Sequence, residues 1–238
     1  MNIVAKISQE LNLTKDQIKS VFSLFDDGAT VPFIARYRKE HTGGLDEEQL
    51  REIEDRRNYL IILEDRKKTV LESIEEQGKL TDELKNKIIA AEKLREVEDL
   101  YLPYKPKRKT RATVAIAKGL EPLADFILEN PQFTGRLEEE AEKYIDEEKE
   151  VATAEEAIQG AKDIIAERIS ENAEVRQLVR DFMLEEAKLV SKKSNTKKED
   201  LDKNKKDVYE VYYNFEADVK KIKPYQVLAI NRGEKEKF

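Results

Sequence analysis

The sequence lacks cysteine and tryptophan altogether, and it contains a single histidine among 238 residues. Without cysteine there are no disulfides and no thiolate metal sites. The N-terminus also lacks the charged and then apolar pattern of a signal peptide, and no apolar run approaches the roughly 18 residues that span a bilayer. We therefore expect a protein of a bacterial-type cytoplasm that is not integral to a membrane.

Patterns that carry catalytic chemistry are missing as well. The eight glycines form neither a G-x-x-x-x-G-K loop nor a G-x-G-x-x-G loop. Nucleophilic catalysis usually needs a histidine base, but His41 precedes a Gly-Gly pair, where a solvated turn residue is expected. The 51 acids offer carboxylate pairs everywhere, so no pair indicates acid–base catalysis. We predict a protein that is not an enzyme and that has no cofactor, catalytic residue or metal site.

Charged residues are what the sequence has in excess. They make up 40% of the chain, against roughly 25% in ordinary soluble domains. Together with 39% hydrophobic and only 7% aromatic residues, this balance is typical of narrow apolar stripes on exposed helices. We therefore predict an all-α fold, built as an elongated array of many helices.

The first part of the chain predicts three short helices followed by a long helical hairpin. Apolar spacing, a capping box from Thr14 to Gln17 and Pro32 in a first helical turn predict a helix-turn-helix-like unit over residues 1–44. Residues 46–77 contain no Pro or Gly and keep near-heptad apolar spacing, which predicts one long helix. Gly78 should end this helix, and a partner helix should begin after Thr81.

The second part predicts shorter helices and a linker. Helices are expected around residues 112–118 and 121–128, and another should begin at Thr153 and use Gly160 for a close helix crossing. A further helix should continue to Leu189. The polar residues 191–206 predict a flexible linker. The spacing of Val208, Val211, Tyr212 and Phe215 favours a helix, although this tyrosine-rich run also fits a strand.

Charge is distributed in blocks along the chain. Residues 101–119 contain six bases and no acid, whereas residues 136–150 contain eight acids and three bases. One hypothesis is that this segment binds nucleic acid. Its phosphates would contact Lys105, Lys107, Arg108, Lys109 and Arg111, and its bases would stack on Tyr104 and the neighbouring Tyr101. The alternative is that these tyrosines pack the loop onto helices and the cations pair with acids of the same protein. The net charge of −7 argues against nucleic acid coating the whole chain.

Two lesser surfaces complete the candidates. Arg36, Arg38 and Lys39 form a smaller basic patch on the third helix, for which we expect a packing role rather than DNA reading, because few side chains there suit base edges. The acidic block at residues 136–150 is a candidate surface for a protein partner.

Four stretches closely resemble the bacterial Tex family of transcription accessory proteins. They are residues 31–47 (VPFIARYRKEHTGGLDE), residues 99–112 (DLYLPYKPKRKTRA), residues 154–172 with the core GAKDIIAE, and residues 212–236 with LAINRGE. The resemblance implies a much longer protein that continues into a nuclease-like YqgF domain, helix-hairpin-helix motifs and an S1 RNA-binding domain. The chain would then be an N-terminal piece, with a Tex-N-like scaffold over residues 45–190 and the start of a truncated region at 207–238.

The same resemblance implies a role and a set of partners. The expected function is a non-catalytic helical scaffold that positions the nucleic-acid-binding domains of a Tex-like protein. Its partners would be those downstream domains, RNA or DNA, and the transcription machinery. The alternative is weak, direct binding of RNA or DNA through the basic loop at residues 105–111.

Overall fold

The computed structural model describes residues 2–193 and 208–236. The chain divides into two compact units, with the boundary between Arg108 and Lys109, and each unit has its own hydrophobic core. The described residues form twelve α-helices and one two-stranded sheet, which confirms the all-α prediction. No described helix is both long and apolar enough to cross a membrane. The predicted division of the chain at residues 44, 190 and 206 stays a prediction.

The first unit is a group of six helices. They are α1 (Ile3–Glu10), α2 (Lys15–Asp26), α3 (Val31–Tyr37), α4 (Glu47–Glu76), α5 (Asp82–Ala90) and α6 (Leu94–Tyr101), followed by a 3-10 turn at Leu102–Tyr104. Helix α2 begins at the predicted capping box, in which Thr14 Oγ1 accepts from the Gln17 N–H at 3.2 Å. Pro32 lies in the first turn of α3, as predicted. The three helices before α4 are therefore present where the sequence predicts them.

Helix α4 is the long helix predicted between Asp46 and Gln77. Asp46 caps it by accepting from the Gln49 N–H at 2.8 Å, and Gly78 ends it with a φ of +66°. Both features are local, since an acceptor at the N-cap and a residue able to take positive φ define the two ends. One stripe of α4 is buried throughout, at Leu50, Ile53, Leu60, Leu63, Lys67, Val70 and Ile74.

The predicted helical hairpin is confirmed, and α6 adds a third helix to it. Lys67, a buried residue of α4, donates from Nζ to the carbonyl of Ile89 in α5 at 2.8 Å and lies 3.0 Å from a carboxylate oxygen of Glu64. Arg66 on the same helix pairs with Glu98 of α6 at 2.5 Å. Polar contacts thus fix both partner helices against α4.

The second unit is built around α10. Its elements are α7 (Arg111–Ala117), α8 (Glu121–Glu129), α9 (Leu137–Ala141), α10 (Ala154–Glu171), α11 (Ala173–Glu186), β1 (Lys188–Lys192), β2 (Asn214–Asp218) and α12 (Pro224–Lys235), with 3-10 turns at Glu142–Tyr144 and Glu210–Tyr212. A Cβ on Gly160 would overlap Leu120 and would lie 3.2 Å from the Cβ of Ala115 in α7. The close crossing predicted at Gly160 is therefore confirmed.

The predicted helix over residues 208–215 is wrong. The chain forms a 3-10 turn at Glu210–Tyr212 and then β2, which pairs antiparallel with β1, where Leu189 was expected to be helical. Ser191 faces Phe215 in this register, so the first residues of the predicted linker belong to a strand. Local spacing cannot reveal this pairing, because it joins segments more than twenty residues apart. The remaining linker residues 194–206 lie outside the described residues.

Candidate nucleic-acid interface

We call residues 105–111 the basic segment. It leads from the last 3-10 turn of the first unit into α7 of the second. In the first unit, Gln77 Nε2 donates to the carbonyl of Tyr104 at 3.0 Å, just before the segment. In the second unit, Thr110 caps α7 through its side chain. Each end of the segment is thus held by hydrogen bonds within its own unit.

The cationic side chains of the basic segment are all exposed: Lys105, Lys107, Arg108, Lys109 and Arg111. Four of these cations form no ion pair within residues 2–193 and 208–236: Lys105, Arg108, Lys109 and Arg111. Lys107 is not counted among them. The alternative in which these cations pair with acids of the same protein therefore lacks support for those four. Exposed, unpaired cations are what phosphate contacts require.

Two arginines elsewhere in the described chain show the opposite arrangement. Arg56 binds the carboxylate of Glu10 through two nitrogens, at 2.5 and 2.7 Å. In the second unit, Arg168 pairs with both Glu121 and Asp125. These pairs connect helices, so their charges are used within the fold. Lys105, Arg108, Lys109 and Arg111 of the basic segment differ because they are exposed and form no ion pair with a described acid.

The two tyrosines near the basic segment have different environments. Tyr101 is 8% exposed, its hydroxyl lies 3.0 Å from Ser73 Oγ, and the guanidinium of Arg66 lies 5.3 Å from its ring centroid. The hypothesis that Tyr101 stacks on bases is therefore wrong. Tyr104 is half-buried against the core of the first unit, which leaves only part of its ring to a ligand. Its stacking role stays a prediction.

A cavity of about 550 Å³ in the second unit adjoins the end of the basic segment. Cationic, acidic, uncharged polar and apolar residues line it together: Lys109, Thr110, Arg111, Val114, Ala115, Lys118, Leu120, Glu150, Val151, Glu156, Gln159, Gly160 and Asp163. Lys118 donates to the carbonyl of Glu150 at 2.7 Å, and Asp163 accepts from Gln159 at 3.1 Å. This cavity could not be predicted from the sequence, because it forms where α7 packs on α10.

The acidic block at residues 136–150 is partly neutralised from within. It contains α9, the 3-10 turn Glu142–Tyr144 and a turn closed by the bridge between Asp146 and Val151. A hydrogen bond from the Lys149 side chain lowers the pKa of Asp146, and Lys143 pairs with Glu140 at 2.5 Å. Its role as a surface for a protein partner stays a prediction.

His41 lies exposed in the turn after α3, where its backbone N–H donates to the backbone carbonyl of Arg38 at 3.0 Å. This is the solvated turn position that the sequence predicts. The part of the chain that the structure describes contains no group of three or more histidine or carboxylate side chains able to hold a metal ion.

Comparison with protein families gives two matches in this chain. Residues 1–75 match the Tex-like protein N-terminal domain, and residues 133–238 match the Tex central region-like family. The two matches contain α1–α3 and most of α4, and then most of the second unit.

Individual relatives match almost the whole chain. "Uncharacterized protein YdcI" of Bacillus subtilis is 52% identical over 231 residues, which is 97% of this chain and 31% of the relative. "Transcriptional accessory protein Tex" of Neisseria gonorrhoeae is 45% identical over 237 residues, which is 99% of this chain and 30% of the relative. The human "S1 RNA-binding domain-containing protein 1" is 30% identical over 98% of this chain and 23% of its own length.

The chain thus spans less than a third of the length of these relatives, and the similarity covers both units. Together, the two family matches and the identities show that the chain belongs to the Tex-like family and corresponds to its N-terminal and central regions.

Proposed function

We propose that this chain is a helical scaffold that positions the nucleic-acid-binding domains of a Tex-like transcription accessory protein. The observation that carries the proposal is α4, whose 30 residues make a rod of about 45 Å. A relative is named as a transcriptional accessory protein and another as an S1 RNA-binding domain-containing protein. These names support transcription and RNA as the context in which such a rod would act.

Contacts at both halves of α4 support a rigid rod. Towards its N-terminus, Arg56 pairs with Glu10 of α1 and Arg57 pairs with Asp26 of α2. Towards its C-terminus, the buried Lys67 binds α5. A helix held at both ends by its neighbours transmits position over its whole length, because bending it would break these pairs and expose buried side chains.

Rigidity of α4 is directly measurable, because the absence of native cysteine lets two introduced cysteines be labelled uniquely. Spin labels at Asp16→Cys and Glu83→Cys, both at exposed side chains of the first unit, should give one narrow distance distribution. The substitution Ile62→Pro on the exposed side of α4 should broaden or shift it, since proline kinks helix interiors. Ile62→Ala is the matched control and should leave it unchanged. A broad distribution in the parent chain would contradict the proposal.

A purely structural scaffold should not bind nucleic acid by itself. Filter binding of this chain with RNA and with DNA tests this point. Salt-dependent binding at low micromolar affinity would overturn the purely structural version of the proposal and show that the scaffold also contacts nucleic acid directly.

The second candidate function is direct nucleic-acid binding through Lys105, Lys107, Arg108, Lys109 and Arg111, with Tyr104 beside them. The exposure of these cations, four of which form no ion pair with a described acid, supports it. Each phosphate contact to a single strand contributes about 0.7 to the slope of log affinity against log salt. The cations would hold the backbone without reading sequence.

The test compares two variants that lose the same charge. In one, Lys105, Arg108, Lys109 and Arg111 are changed to Gln; in the other, the exposed Lys15, Lys85, Lys162 and Lys220 are changed to Gln. If the basic segment binds phosphates, the first variant should flatten the salt slope by about 3 units, four times the contribution of one contact. The control should change it much less. Equal effects in both variants would refute the assignment to the basic segment.

A further inference from the structure

A second cationic surface lies on α3 and the turn that follows it. We call it the α3 patch and define it as Phe33, Arg36, Tyr37, Arg38 and Lys39. The opposite side of α3 is anchored in the core of the first unit, where Val31 is 4% exposed and Ile34 is fully buried. The packing role expected for this helix therefore applies to one side only, and the α3 patch faces solvent.

Two aromatic rings of the α3 patch are exposed side by side. Phe33 is 41% exposed and Tyr37 is 60% exposed, and they lie four residues apart on the same face of the helix. Their ring centroids are 5.4 Å apart and their planes are tilted by 50°. Because a large aromatic side chain gains most from burial, an exposed pair of rings marks a surface on which a planar ligand can stack.

Three cations surround these rings. The guanidinium of Arg38 lies 5.3 Å from the ring centroid of Phe33, and that of Arg36 lies 6.0 Å from the ring centroid of Tyr37. None of the acids in the described parts of the chain forms an ion pair with Arg36, Arg38 or Lys39. Glu40 is an exposed acid in the same turn, so the net charge of these three cations and Glu40 together is +2.

The turn that carries these cations is fixed in place. Thr42 is fully buried, and its Oγ1 donates to the carbonyl of Lys39 at 3.0 Å. The N–H of Gly44 donates to the same carbonyl at 2.9 Å, and Gln17 Nε2 donates to the carbonyl of Gly43 at 3.4 Å. A surface that is ordered before a ligand arrives avoids the entropic cost of ordering it on binding.

We propose that the α3 patch binds single-stranded nucleic acid, with bases stacked on Phe33 and Tyr37 and phosphates beside Arg36, Arg38 and Lys39. Exposed rings interleaved with unpaired cations are the arrangement that holds single strands without reading their sequence. An acidic peptide matches the site less well, because it offers carboxylates to the arginines but no row of planar bases to the two exposed rings. The α3 patch shares no residue with the basic segment, so the two sites can be tested separately.

The test is fluorescence anisotropy of the whole chain with labelled oligothymidylate and oligouridylate, which share the same phosphate and stacking chemistry. The substitutions Phe33→Leu and Tyr37→Leu remove the planar faces and keep apolar side chains. Each should weaken binding of both oligomers by at least about fivefold, the lower end of measured base–aromatic stacking. Phe182→Leu, at a ring 65% exposed in the second unit, is the matched control and should leave binding unchanged.

An abasic oligomer of the same length separates stacking from charge. It should bind the parent chain more weakly, and the ring substitutions should not weaken it further. Changing Arg36, Arg38 and Lys39 to Gln should flatten the salt slope by about 2 units for every oligomer. Circular dichroism confirms that each variant is folded.

Three results would overturn the proposal. These are no measurable binding by the parent chain, ring substitutions that weaken the abasic and the complete oligomers equally, and polyglutamate binding as tight as that of the oligomers. The effect of the ring substitutions should persist when the basic segment carries its four Gln substitutions. The two sites can therefore fail independently.

Discussion

The two units build their cores from side chains of different size. In the first unit the buried side chains are mainly isoleucine, leucine and valine, with a continuous stripe along α4. In the second unit six of the ten buried residues of the core are alanines: Ala112, Ala115, Ala124, Ala141, Ala157 and Ala161. Gly160 lies among them at the crossing of α10 with α7. The first unit is therefore stabilised by large apolar side chains that fill its core. The second is stabilised by small residues that let its helix backbones pack close together.

This difference predicts opposite sensitivities. Removing atoms from the first core leaves a cavity and loses buried apolar area. Adding atoms to the crossing in the second core forces the helices apart. Substitutions that shrink or enlarge one buried residue should therefore distinguish the two units.

The largest effect is expected for Leu63→Ala in the middle of α4. Leu63 is fully buried, so its truncation should lower the free energy of unfolding by about 2 to 5 kcal/mol. Ile62→Ala, at the exposed neighbouring position, should change it by less than about 0.5 kcal/mol. Urea denaturation with hydrogen exchange would show the loss within the first unit. Equal effects at both positions would mean that α4 is not buried along this stripe.

A smaller effect is expected for Gly160→Val in the second unit. The added side chain meets Leu120 and Ala115, so overpacking should destabilise this unit by about 1 to 3 kcal/mol. The control Lys162→Val places the same β-branched residue on the exposed side of α10 and should cost much less. Thermal unfolding of both variants makes the comparison. Equal costs would mean that helix propensity, and not the close crossing, decides the effect.

Ion pairs between helices should contribute less than either core. A hydrogen bond from Arg56 lowers the pKa of Glu10 from its ordinary value of 4.5. The pair therefore stabilises the fold above about pH 4.5, and this contribution is lost as the pH falls through the lowered value. At pH 7, Glu10→Gln should cost no more than about 1 kcal/mol, and the difference from the parent chain should vanish in acid.

Urea unfolding between pH 7 and pH 3 measures this dependence. Glu185→Gln, at an exposed acid of α11, is the control and should show no such trend. A cost for Glu10→Gln that stays constant down to pH 3 would show that the ion pair is not its source.

The smallest effect is expected on α11, which has no buried residue. Phe182 is 65% exposed, so Phe182→Ala should change the free energy of unfolding of this chain by less than about 0.5 kcal/mol. Thermal unfolding is again sufficient. A loss of more than 1 kcal/mol would show that α11 takes part in a core of this chain.

Helices whose ends carry their own signals could be predicted from the sequence. Thr14 and Thr81 both cap helices through their side chains, and Gly78 takes the positive φ that ends α4. The start at Thr153 is also confirmed, because Thr153 Oγ1 accepts from the Glu156 N–H at 3.2 Å, while the Glu156 carboxylate accepts from the Ala152 N–H at 2.9 Å. Helix α6 was missed, because its short apolar pattern lies just before Pro103 and Pro106, which predict a loop.

The candidate site could be predicted only in part. The run of cations at residues 105–111 is visible in the sequence, and their exposure agrees with the hypothesis of phosphate contact. The roles of the aromatic residues could not be predicted. Tyr101 is buried beside Ser73, whereas Phe33 and Tyr37 are exposed, because the surfaces that cover a ring come from other helices.

The sequence by itself determined the all-α class, the length of α4, most helix starts and the location of the basic segment. These depend on contacts within a few residues, such as a cap and its N–H donor or the spacing of an apolar stripe. Only the tertiary structure decided that residues 188–192 pair with 214–218, that Gly160 touches Leu120, and which rings remain exposed. Such contacts join residues distant in the chain, so the free energy that selects them arises only when the helices and strands pack together.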